Sequence, residues 1–161
     1  MDNSLKQDFT RRLSQCNSGG MIVIIYEIGF AYMHDVRTAY ESGNHDEMKA
    51  SIRKAQNVLD ELMGSLNFAY EMSNNLYSLY MFCKNELARV LYENRLEGLE
   101  EAEKIMRRLY HSFAEAAKSD TSAPIMSNTQ QIYAGMTYGR NQLNENDMNY
   151  AYFACRSIDR K

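Results

Sequence analysis

The sequence has no tryptophan, one proline, and only three cysteines and three histidines in 161 residues. The cysteines, Cys16, Cys83 and Cys155, are odd in number and unrelated in spacing. That excludes a disulfide scaffold and points to reduced thiols in a reducing compartment. The histidines exclude something else. Metal pairs in helical bundles are commonly held by Glu-x-x-His, whereas Ala31, Ser42 and Arg108 stand three residues before His34, His45 and His111. No Cys or His pair has zinc-ligand spacing, no G-x-S-x-G elbow surrounds a serine, and no glycine-rich phosphate loop is present. Neither a metal nor a cofactor is expected, and no enzymatic activity.

Positive charge is also in short supply. With 18 basic against 21 acidic residues and a net charge of −3, the chain lacks the basic face of a nucleic-acid binder. The longest apolar run, Met21 to Met33, is interrupted by Glu27 and is too short for a bilayer, so no membrane insertion is expected. Met1-Asp2-Asn3-Ser4 does not open a signal peptide, and a cytoplasmic location is expected. No segment alternates with a period of two, which argues against a sheet.

What the sequence does have is a three-four rhythm. Met48, Ile52, Ala55, Leu59, Leu62 and Leu66 form one stripe; Met72, Leu76, Tyr80, Cys83, Leu87 and Val90 a second; Leu99, Ala102, Met106, Leu109, Phe113 and Ala116 a third. Residues three and four apart share one face of an α-helix, and such faces pack as the seams of antiparallel bundles. A further helix, from Met21 to Glu41, is apolar on nearly every side, so it is either central or offers a face to a partner. Leu5, Phe9 and Leu13 outline a short N-terminal segment, too brief to be stable as an isolated helix.

The boundaries are less evenly marked. Ser42-Gly43 breaks the pattern, and Asn44 with Glu47 reads as a capping box; Asn94 with Glu97 repeats that signal before the last long helix. Glu100–Lys104 and Glu103–Arg107 mark a solvated face of that helix. Between Gly64 and Gly98 neither glycine nor proline intervenes. Either one long helix runs through, or Ser73-Asn74-Asn75 turns the chain. After Lys118, Ser119 to Pro124 reads as a linker. The tail beyond keeps apolar points at Ile125, Met126, Ile132, Tyr133, Met136, Tyr138 and Leu143, and is either docked on the bundle or mobile until a partner arrives.

The expectation is therefore an all-α, antiparallel four-helix bundle over 1–118, with helices at about 20–41, 45–67, 73–93 and 95–118. A short N-terminal segment precedes it, and a flexible or partly docked tail, 119–161, follows. Eleven methionines and twelve tyrosines supply adaptable, broad contact area of the kind used to bind helices.

The run Ile52 to Asn67, containing Lys54-Ala55-Gln56, Glu61-Leu62 and Ser65-Leu66-Asn67, resembles the second-helix signature of the FliS family, the bacterial flagellin export chaperones. Asn75-Leu76-Tyr77-Ser78-Leu79-Tyr80 is similar to that family's N-L-x-x-L-Y element, and Ile25-Tyr26-Glu27-Ile28 occupies the place of its L-Y-D-G. Phe68-Ala69-Tyr70-Glu71 stands where the family commonly has a turn glycine. The resemblance covers about residues 13 to 118, in order and in register.

The resemblance implies a cytoplasmic chaperone that binds the disordered C-terminal segment of flagellin and prevents its premature polymerisation. It would then support delivery to the flagellar type III export apparatus, with the export gate as a further partner. It carries over Ile52, Ala55, Gln56, Leu59, Leu76, Leu79, Tyr80 and Tyr26 as flagellin-binding residues. Most of these also fit a bundle seam, and a seam residue cannot also face a ligand. The alternative is a non-enzymatic adaptor or a chaperone for a different secreted helical client. In the unliganded protein, either the tail or the Leu5–Phe9–Leu13 segment is expected to cover the groove.

Overall fold

A computed structural model describes residues 1–126; the expectations placed on 127–161 lie outside the described residues. Those residues form five α-helices and no strand: α1 Asn3–Leu13, α2 Ser18–Glu41, α3 His45–Gly64, α4 Met72–Glu93 and α5 Glu97–Lys118. The four long helices make a ring in which α2 and α4 each lie against both α3 and α5, while α1 lies on α2 alone. Arg37 meets Glu103 at 3.1 Å and Glu27 meets Tyr110 at 3.2 Å, so α5 runs antiparallel to α2. The helix count is five rather than four because the N-terminal segment packs: Phe9 is buried, and Arg12 reaches Glu27 at 2.6 Å. A helix too short to persist alone is stabilised by such tertiary contacts.

The stripes supply the core. Ile52, Ala55, Leu59 and Leu62 of α3, Tyr80, Cys83, Leu87 and Val90 of α4, and Leu99, Ala102 and Met106 of α5 are all buried. The all-round apolar character of α2 follows from its place in the ring, with α3 on one side, α5 on another and α1 over a third. Gly98 permits a close helix approach: a Cβ there would stand 2.4 Å from the Glu86 carbonyl oxygen, so α5 crosses α4 at a point where no other residue fits without backbone movement.

The connections depart from expectation in three places. α3 stops at Gly64, so Leu66 falls in the turn; α4 begins at Met72, one residue from the expected start, so Ser73-Asn74-Asn75 open that helix rather than turn the chain. The Ser73 hydroxyl donates to the Asn67 carbonyl at 2.6 Å and closes the 65–71 turn from inside the helix. Asn94 does not cap α5. It takes the left-handed conformation (φ 50°) as the C-cap of α4, and Leu96 precedes α5 with no side-chain cap. Asparagine tolerates both roles, and the end of one helix claimed it before the start of the next. Asn44 does cap α3: its Oδ1 accepts from the Glu47 N–H at 3.1 Å. Here Glu47 receives the Asn44 side-chain amide at 3.0 Å, because the Asn44 backbone N–H is already given to the Ala39 carbonyl. On α5, Glu103 is more than part of a solvated face, since it ties Arg107 of its own helix and Arg37 of α2.

Candidate functional surface

The residues singled out from sequence divide by depth. Tyr26, Ile52, Ala55, Leu59 and Tyr80 are buried in the core. Gln56 is half-buried and donates from Nε2 to the Lys84 carbonyl at 3.1 Å, joining α3 to α4. Leu76 is half-buried and Leu79 is 37% exposed. The set thus splits into a supporting layer and a small surface group on α4.

The supporting layer is chemically quiet. The Tyr26 and Tyr80 hydroxyls meet at 2.6 Å across the ring, and the Tyr26 ring lies 5.7 Å from that of Phe113. Burial pushes both phenols above their ordinary range, so neither ionises near neutrality. Burial likewise pushes the Cys83 thiol up to about 12, which leaves it a small apolar side chain rather than a nucleophile.

Above this layer, large apolar side chains stand exposed along the first half of α4 and the turn before it, among the exposed polar residues Glu71, Asn74, Asn75 and Ser78. Phe68, Tyr70, Met72, Tyr77, Leu79 and Phe82 are all exposed, Met72 to 66% and Phe82 to 44%. Met72, Leu79 and Phe82 fall along one stripe by their spacing. That stripe runs on the flank of α4 facing α5, since Cys83 on the same flank donates to the Ala102 carbonyl at 3.8 Å. On the opposite flank the Tyr77 ring packs edge-on against Phe68, with centroids 6.0 Å apart. The apolar surface ends where charge begins. Lys84 pairs with Asp60 at 2.6 Å, and Arg89 binds Glu86 and Glu93 at 2.8 and 3.2 Å.

Exposed aromatic, leucine and methionine side chains on both flanks of the first half of α4, with charge beyond them, have the composition of a protein-binding surface. Sequence reasoning missed Phe68, Tyr70, Tyr77 and Phe82 as surface groups and assigned Met72 to the core stripe. The signal was available: Leu76, Tyr77, Leu79, Tyr80, Met81, Phe82 and Cys83 crowd more apolar residues into two turns than one seam can cover. Among the described residues, no group of three or more His, Cys, Asp or Glu side chains could hold a metal ion, and no helix is long and apolar enough to cross a membrane.

Comparison with known proteins gives one match. The family model described as flagellar protein FliS matches residues 1–120, a span containing every helix above. No individual curated protein matches the chain.

Proposed function

The chain belongs to the FliS family of flagellar export chaperones, and on that premise we propose that its client is the C-terminal segment of flagellin. The carrying observation is the exposed apolar surface of α4 and the turn before it, Phe68 to Phe82. A disordered client that becomes helical on binding must offset roughly 2–5 kcal/mol of ordering. Aromatic and methionine side chains that read helical anchors in a groove supply that in compact form. Leu79 is part of the surface, and Leu76 and Gln56 border it. The buried members Ile52, Ala55, Leu59, Tyr80 and Tyr26 act beneath it as its scaffold.

In this reading the chaperone acts by mass action. Covering the client's apolar face removes it from self-association without chemistry, and the complex is then delivered from the cytoplasm to the flagellar type III export apparatus, where the export gate is the further partner. Calorimetric titration of the full chain with the C-terminal segment of flagellin from the same organism tests the core of the proposal. Saturable one-to-one binding with a negative heat-capacity change is expected. Absence of binding would overturn flagellin as the client and direct attention to another secreted helical protein.

A further inference from the structure

The residues that join α1 to α2 and those that leave α5 meet at one corner of the bundle. Asn17 has two roles there. Its Oδ1 accepts from the Gly20 N–H at 2.9 Å, capping α2, and its Nδ2 donates to the Asp120 carbonyl at 2.9 Å. The Asp120 carboxylate in turn accepts from the Gly19 N–H at 3.0 Å and from the Ser122 N–H at 2.9 Å. Five residues on, the Ile125 N–H donates to the Cys16 carbonyl at 3.0 Å. The fit is close: a Cβ on Gly19 would lie 2.9 Å from Asp120 Oδ2 and 3.3 Å from the Ala117 Cα.

A carboxylate supplied from 101 residues away therefore completes the N-terminus of α2, where unpaired N–H groups favour negative charge. The connecting residues are also the hinge of α1, whose seat on α2 depends on buried Phe9 and on the Arg12–Glu27 pair. Glu27 also receives the Tyr110 hydroxyl of α5 at 3.2 Å. One physical route thus runs from α1 through residues 14–17 to the segment leaving α5, and Glu27 separately ties α1 to the body of α5.

We propose that this corner is a latch that makes the seating of α1 and the docking of residues 119–126 one event, so that a partner lifting α1 from α2 also releases the chain leaving α5. Lifting α1 displaces residues 14–17, which removes the Asn17 and Cys16 partners of Asp120 and Ile125. Reciprocity requires the reverse: loss of the Asp120 contacts loosens α1. The inference does not depend on which client the surface of α4 holds.

Amide hydrogen exchange on the full chain tests it. In Phe9→Asp, which unseats α1, exchange of the Gly19 and Ile125 amides should rise by roughly tenfold or more, the scale of ordinary coupling between sites. In Asp120→Ala, the amides of α1 should accelerate to a comparable degree while those of α3 keep their protection. Should Phe9→Asp fail to fold, Arg12→Gln weakens the same seat and is expected to move both segments together. Free exchange in α1 with Ile125 still protected, or the converse in Asp120→Ala, would overturn the latch.

Discussion

Replacing Phe82 by alanine should weaken the binding of flagellin's C-terminal segment without unfolding the bundle. About 44% of this residue is exposed. Of the roughly 200 Å² that an aromatic side chain can bury, that leaves about 90 Å² for a client to cover. At about 25 cal/mol per Å², the lost area corresponds to ~2 kcal/mol, or about thirtyfold in Kd. The ring's inner half also packs on the bundle, so stability should fall by ~1–2 kcal/mol, well short of the ~5–15 kcal/mol that holds a typical domain folded. Phe82→Asp should weaken binding further, since a carboxylate would have to be desolvated under the client. Leu59→Ala is the contrasting case. Its side chain is fully buried, so the change should cost ~2–5 kcal/mol of stability. Calorimetric titration beside circular-dichroism melts separates the two effects. Wild-type affinity in both Phe82 variants, with helicity intact, would refute the assignment of this surface to the client.

Other expectations follow from single contacts. Gly98→Ala should lower the melting temperature by several degrees despite the better helix propensity of alanine, because its Cβ meets the Glu86 carbonyl oxygen rather than a side chain that could move. For Glu103, burial acts to raise the pKa, but hydrogen bonds from Arg107 and then Arg37 outweigh it and hold the carboxyl below its usual range. Its contribution to stability is thus present above the ordinary carboxylate range and lost as pH falls through the lowered value. Denaturant midpoints of Glu103→Gln should lie below wild type at neutral pH and converge with it as pH falls below the ordinary carboxylate range. Cys83, with its thiol pushed up to about 12, should resist alkylation at mildly alkaline pH in the folded protein and react on denaturation, as mapped by peptide mass spectrometry.

Periodicity made the core legible. Ile52, Leu59 and Leu62, or Leu99, Ala102 and Met106, repeat at helical spacing because burial on one face selects apolar residues there, and the structure buries each. Helix ends were less legible where one residue type serves two purposes. Asn94 suits an N-cap and a left-handed C-cap equally, and only the geometry of α4 decides between them. The candidate surface was harder still. The resemblance rests on residues such as Ala55, Leu59 and Tyr80 that shape the bundle, and these are buried. Phe68 and Phe82 lie outside any single seam and show as surface only once the ring is assembled. The N-terminal helix was visible as three apolar residues four apart, but its stability depends on α2 and on Glu27, which no local pattern reports.

The hydroxyl pair Tyr26–Tyr80 sets a register. α2 and α4 face one another across the ring without their backbones touching, so their relative height is set through α3 and α5 and by side-chain contacts, the Tyr40 hydroxyl on the Asn94 carbonyl at 3.2 Å being one and this pair another. Greasy contacts change gradually as two helices slide, whereas a 2.6 Å hydrogen bond is lost well before the ~5.4 Å of one helical turn. A slipped bundle would leave two phenol groups in an apolar interior with no partner, at ~1–3 kcal/mol each. The pair therefore works as a vernier, penalising small axial slips that hydrophobic packing alone would tolerate.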